Sequence, residues 1–205
     1  TEQGIMVVNA PKSNILSAAE HTIALMLAQA RNIPQANSAL KSGRWERNEW
    51  TGVELSDKTL GIIGLGRIGK LVAQRALSFG MNLVAYDPFV AIERARQLSV
   101  ELLPLKELVE VSDFITVHVA KTPETHDLIN AEMLAHAKPD LRVINVARGG
   151  IVNETDVAEA IKSGKIAGAA IDVFENEPVI DSPLFSIPQV VVTPHLGAST
   201  AEAQD

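Results

Sequence analysis

The stretch that decides the fold is "TLGIIGLGRIGKLVAQRA", residues 59–76. It opens as an unbroken apolar run, breaks at glycines, and resumes with apolar residues at helical spacing. Gly64, Gly66 and Gly69 stand in G-x-G-x-x-G order. Between a strand and a helix, the first glycine permits a tight turn and the second lets a pyrophosphate approach backbone that carries no Cβ. The third lets helix and strand pack closely. Freed N–H groups and the positive helix end then favour the anion. Ile68, Leu71, Val72, Ala76 and Phe79 share one helical face, and Gly80 is placed to end that helix.

Such a unit needs an acidic residue about 20 positions on to hold ribose hydroxyls. Asp87 ends the next apolar run, "NLVAYD" (82–87), 21 residues beyond Gly66. Pro88 and Phe89 follow it, with no arginine to welcome a 2′-phosphate. The expected cofactor is therefore NAD rather than NADP.

The rhythm continues outward. "FITVHV" (114–119), "RVINVA" (142–147), "AGAAIDVF" (167–174) and "VVVT" (190–193) complete six expected strands. Most are continuously apolar, as strands buried on both faces are. A helix is expected after residue 153, with Val157, Ala160 and Ile161 on one face, Lys162 in its last turn and Gly164 ending it. The expected fold is α/β, a doubly wound parallel sheet of Rossmann type. Residues 1–52 read differently. "GIMVVNAP" is an extended lead-in, and "SNILSAAEHTIALMLAQARN" is a helix with Ser17 and Glu20 as a candidate capping box. Pro34 restarts a second helix ending at Gly43, and Trp45 and Trp50 follow in a polar stretch.

Composition narrows the function. Hydrophobic residues make up 46% and charged residues 21% of the 205-residue chain, the balance of a globular protein with a sizeable core. No membrane-span-length apolar run or secretion signal is visible. The net charge of −7, without a basic cluster, argues against nucleic acid as a partner. Zero cysteines exclude disulfides, thiolate metal sites and cysteine nucleophiles, fitting a cytoplasmic location, and no metal site is expected.

Ligands of an open parallel sheet collect beyond the carboxyl ends of its strands. Of five histidines, His21, His126 and His136 fall in helix or loop text and read as surface or packed residues. His118 and His195 each end a strand, and position alone admits both. Arg148 leaves one strand, Asp172 lies at another's end, and Glu175 and Glu177 come just after it. An arginine to orient a carboxylate, a histidine to exchange a proton and a carboxylate to hold its ring make a coherent hydride-transfer site.

The text "GLGRIG…YDP…NVARGGIV…IDVFENEP…TPHLGAST" resembles the NAD-binding domain of the D-isomer-specific 2-hydroxyacid dehydrogenases over nearly the whole chain. "NILSAAEHT", "SGRWERNEWTGVEL" and "PHLGASTAEAQ" are similar to the branch acting on 3-phosphoglycerate. The resemblance implies Arg148, Glu177 and His195 as catalytic. It implies Arg67 and Ile68 at the pyrophosphate, Asp87 at the ribose, and Val119 beside the adenosine. Val146, Ala147, Asp172, Gly197 and Ala198 would surround the nicotinamide. Glu175 becomes the bland member of its pair, and Asn153 departs from the family's usual aspartate. The implied reaction is NAD-dependent oxidation of the small molecule 3-phosphoglycerate at its 2-hydroxyl, in serine biosynthesis. Within the resemblance, all 205 residues are the nucleotide-binding domain, the separate substrate domain is expected to be absent, and the chain alone is expected to bind NAD with little activity. A homo-oligomer through residues 14–50 is expected. Rival readings are an NAD-sensing corepressor-like protein and a glyoxylate or hydroxypyruvate reductase.

Overall fold

The computed structural model describes residues 14–204. Its strands are β1 (Thr59–Ile63), β2 (Asn82–Tyr86), β3 (Glu101–Leu102), β4 (Phe114–Val117), β5 (Arg142–Asn145), β6 (Gly168–Ile171) and β7 (Val190–Val192). They form one sheet in the order β3-β2-β1-β4-β5-β6-β7, parallel at every pairing. The helices are α1 (Ile15–Ala30), α2 (Ile33–Lys41), α3 (Arg67–Ser78), α4 (Ile92–Arg96), α5 (Leu105–Val111), α6 (Ala131–Leu134), α7 (Glu154–Lys162) and α8 (Ala201–Gln204).

Adjacent strand residues point to opposite faces, so a strand covered on both sides must be apolar throughout. Ile62, Phe114, Ile144 and Ala170 pack with Met26 of α1 and Val72 of α3. Their neighbours Ile63, Ile115, Val143 and Ala169 pack with Leu108 of α5 and Val157 of α7. The chain runs from β1 outward to β3, then returns to β4 on the other side of β1. That reversal opens a crevice at the carboxyl ends of β1 and β4.

All six expected strands form, each shorter than its apolar text. β4 stops at Val117, so His118 and Val119 lie beyond it, and β6 stops at Ile171, so Asp172 does too. The seventh strand, β3, was not expected: two residues pair with Val84 and Ala85 at the sheet edge. The capping box is corrected as well. Helix α1 begins at Ile15 with Asn14 as its N-cap, which places Ser17 and Glu20 inside the helix. The Ser17 hydroxyl instead meets that of Thr200 at 2.8 Å, and Glu20 pairs with Arg75 at 3.4 Å. The expected lead-in "GIMVVNAP" lies outside the described residues. Asn153 caps α7 by accepting the Asp156 N–H at 3.0 Å, a task either Asn or Asp performs.

Candidate active site

The glycine turn is shaped by close approach. Gly64 has φ +94°, a conformation that favours glycine, and a Cβ on Gly69 would overlap the Gly64 carbonyl. Gly66 is the N-cap of the twelve-residue α3, offers no side-chain cap, and has open space where its Cβ would stand. A helix N-terminus that begins on glycine, with no side-chain cap, suits an anion. Asp87, half-buried just past β2, accepts the Leu65 N–H at 2.8 Å and the Phe89 N–H at 2.9 Å. Its carboxylate is thus tied to the same turn. The cradle, the helix end and the carboxylate suit a dinucleotide.

Beyond these strand ends lies a cleft of about 680 Å³, lined by Ile68, His118, Val119, Ala147, Arg148 and His195 among others. Val146, Gly197 and Ala198 also line it. The larger hollow, about 1190 Å³, lies at the opposite edge by Thr59, Asn82 and Glu101, and contains none of the residues singled out.

Three turns build the cleft's rim. After β5, the buried Asn145 accepts the Ala147 N–H at 3.0 Å and donates to the Arg148 carbonyl at 3.0 Å. The Arg148 guanidinium donates to the Ala147 carbonyl at 2.7 Å and is otherwise exposed at the cleft. After β6, the Phe174 carbonyl fills the space a Cβ on Gly149 would need, so the two turns meet backbone to backbone. That contact positions Glu177, whose Oε1 accepts the Phe174 N–H at 2.9 Å. After β7 comes His195, whose Nδ1 lies 2.7 Å from Glu177 Oε2.

Burial pushes the Glu177 carboxyl up, but hydrogen bonds from His195 and the Phe174 N–H, with charge on His195, outweigh it and hold the group below its ordinary value. Glu177 is therefore an anion facing Nδ1, which leaves Nε2 for other chemistry. Glu175 takes no part in this contact. It pairs with Lys121 at 3.0 Å and His126 at 3.5 Å, and the Lys121 hydrogen bond leads in lowering its pKa.

His195 has φ +54°, an uncommon conformation for a residue with a side chain. Asp172 imposes it. The Asp172 carbonyl accepts the His195 N–H at 2.8 Å, and its carboxylate accepts those of Leu196 at 2.7 Å and Gly197 at 2.8 Å. Thr193 adds a hydroxyl donor at 2.5 Å, and His21 Nε2 lies 3.3 Å away. Burial raises the Asp172 pKa, yet these donors together bring it below the ordinary 3.8. His118 is part-buried beside Thr116, at 3.0 Å, and desolvation lowers its pKa to about 4. It stays neutral near pH 7.

The structure thus brings Arg148 and His195 to one cleft and places Glu177 on His195. Sequence reading missed His21 and Asn145. His21 acts through partners 151 and 172 positions away, which no local pattern reveals. Asn145 acts on residues two and three along its own turn, a local signal that could have found it.

Residues 23–197 match the model of the "D-isomer specific 2-hydroxyacid dehydrogenase, NAD binding domain". The chain is 56% identical over 205 residues to the D-3-phosphoglycerate dehydrogenase of Mycobacterium tuberculosis, covering 100% of this chain and 39% of that one. Against the D-3-phosphoglycerate dehydrogenase of Methanocaldococcus jannaschii the identity is 52% over 205 residues, with the same two coverages, 100% and 39%. The chain therefore spans about two fifths of the length of these relatives. Among solved structures, the D-lactate dehydrogenase of Aquifex aeolicus, complexed with NAD and lactic acid, superposes with a TM-score of 0.87 at 32% identity. The match covers 99% of this chain and 66% of that one.

Proposed function

The chain belongs to the D-isomer specific 2-hydroxyacid dehydrogenase family as its NAD binding domain, and on that premise we propose that it is the cofactor-binding part of an enzyme oxidising 3-phosphoglycerate at its 2-hydroxyl. The 2.7 Å contact between His195 and Glu177, at the rim of the cleft beside the glycine turn, carries the reading of the chemistry. Identity of 50–56% to relatives named D-3-phosphoglycerate dehydrogenase supports the substrate.

The cofactor would be held by the Gly64–Gly69 turn with Arg67 and Ile68, by Asp87, and by Val119, Val146, Ala147, Gly197 and Ala198 along the cleft. When bound, NAD supplies the hydride acceptor. His195 takes the hydroxyl proton on Nε2 during oxidation and returns it in the reverse direction. Glu177 stabilises the imidazolium so formed and keeps the ring aimed. Arg148 presents a guanidinium to the substrate carboxylate, where a two-pronged contact fixes orientation. Asp172 already spends its carboxylate on the turn, so its service to the cofactor is to place Gly197 and Ala198.

The net charge of −7 supports a small-molecule substrate over nucleic acid. Among the described residues no helix is long and apolar enough to cross a membrane, and a cytoplasmic location belongs to the same proposal. So does self-association through residues 14–50. There Trp45 is 81% exposed, Leu40 56% and Ile33 52%, a concentration of apolar surface on one arm.

The test is turnover of the full-length protein with NAD on 3-phosphoglycerate, D-lactate and D-glycerate. Preference for 3-phosphoglycerate supports the reading. Preference for an unphosphorylated acid moves the substrate but not the chemistry, and no turnover of any hydroxyacid contradicts the proposal.

A further inference from the structure

Helix α1 reaches the catalytic turn through one side chain. His21, with 20% of its side chain exposed, directs Nε2 at Asp172 Oδ1, 3.3 Å away, and at Thr193 Oγ1, 3.2 Å away. The Thr193 hydroxyl spends its proton on the same Asp172 oxygen, at 2.5 Å. It therefore offers His21 only lone pairs, and a ring nitrogen facing two acceptors must carry the hydrogen. One helical turn earlier, Ser17 meets Thr200 at 2.8 Å. Helix α1 thus grips the segment from Thr193 to Thr200 near both of its ends.

Asp172 has no exposed side-chain surface. The other groups facing its carboxylate, the Leu196 and Gly197 N–H groups and the Thr193 hydroxyl, are neutral. Among the described residues, His21 is the one contact of this carboxylate that can bring positive charge. A buried carboxylate is held firmly only when its oxygens are fully satisfied. The N–H groups it holds belong to the turn that keeps His195 at φ +54°. Such a conformation persists where the surroundings over-determine it.

We propose that His21 is a positioning residue for the dehydrogenase reaction: its Nε2–H seats the carboxylate of Asp172, and Asp172 in turn seats His195 against Glu177. His21 does not line the cleft, so its effect reaches the reaction only through that chain of contacts. The inference rests on the reading of His195 as the proton carrier.

The experiment compares His21→Leu and His21→Gln in the intact dehydrogenase. Leucine fills the space without a donor, whereas glutamine places an amide N–H near the imidazole Nε2–H. His21→Leu should lower kcat about tenfold, since small misplacement of a reacting group is costly, while NAD affinity by titration changes less than about twofold. His21→Gln should recover most of that loss. A residue that merely supports folding would lower kcat, NAD affinity and Tm together, with no rescue by glutamine, and that pattern overturns the proposal. So does a His21→Leu enzyme with full kcat. If His21→Leu does not fold, His21→Met, another side chain without a donor, takes its place and should give the same loss in kcat alone; full kcat there also contradicts the idea. A His195→Gln control separates the two levels. Retained turnover in that control removes the underlying reading, whereas a dead His195→Gln beside an unaffected His21→Leu overturns this inference alone.

Discussion

Asp172 and His195 are joined through the main chain: the Asp172 carbonyl accepts the His195 N–H at 2.8 Å, while the Asp172 carboxylate accepts the next two N–H groups along the chain. Three consecutive donors of the turn that carries His195 therefore end on one residue. Replacing Asp172 by alanine leaves the Leu196 and Gly197 donors and the Thr193 hydroxyl without their acceptor. The expected cost is on the order of 3 kcal/mol of stability, read by denaturant unfolding. Turnover should fall further than the melting temperature suggests, because His195 loses its aim. An Asp172→Ala protein with native stability would remove the clamp from the account.

His118 makes stability depend on pH in a known direction. Its pKa is about 4 in the folded chain against an ordinary 6.5, so between those values the unfolded chain binds more protons. Stability therefore rises with pH across that window and is lost as pH falls from 6.5 towards 4. The group accounts for at most about 3 kcal/mol of that fall. Thermal unfolding of His118→Gln at several pH values should show a flatter dependence than wild type. Parallel curves would contradict the assignment.

If Asp87 holds the ribose as proposed, it also sets cofactor choice. Its loss removes a charge-assisted partner for ribose hydroxyls and also frees the Leu65 N–H it holds. Asp87→Ala should weaken NAD about tenfold or more. The NAD-to-NADP preference should narrow, because a carboxylate that repels a 2′-phosphate is gone. Titration of both nucleotides reads both effects, and an unchanged preference would show that Asp87 does not face the ribose.

The exposed Trp45 tests self-association. Aromatic side chains anchor interfaces, and losing one typically weakens association by about 2 kcal/mol, or roughly thirtyfold. Sedimentation of Trp45→Ala should shift from oligomer towards monomer at concentrations where wild type stays associated. A monomeric wild type would end the idea.

Much of this was legible in the sequence because it is local. The strand–glycine–helix unit needs only neighbouring residues, and long apolar runs marked six strands. β3 escaped because Glu101 and Leu102 are too few to show a period, and their strand character comes from pairing with Val84 and Ala85. Ser17 matched a capping pattern locally, but the helix starts earlier and its hydroxyl answers Thr200, 183 positions away. His21 read as an ordinary helix histidine for the same reason: its partners Asp172 and Thr193 are 151 and 172 residues distant. Between Glu175 and Glu177, spacing offered no choice, and family resemblance selected the one that the fold sets against His195.

The central claim is that His195, aimed by Asp172 and charged against Glu177, carries the substrate proton. The most direct measurement is the rate of NADH formation in a single turnover by full-length His195→Gln, alongside its NAD affinity. Loss of a general base typically costs about a hundredfold or more in rate, and that loss is expected with NAD binding within about twofold of wild type. NADH formation at the wild-type rate would contradict the account.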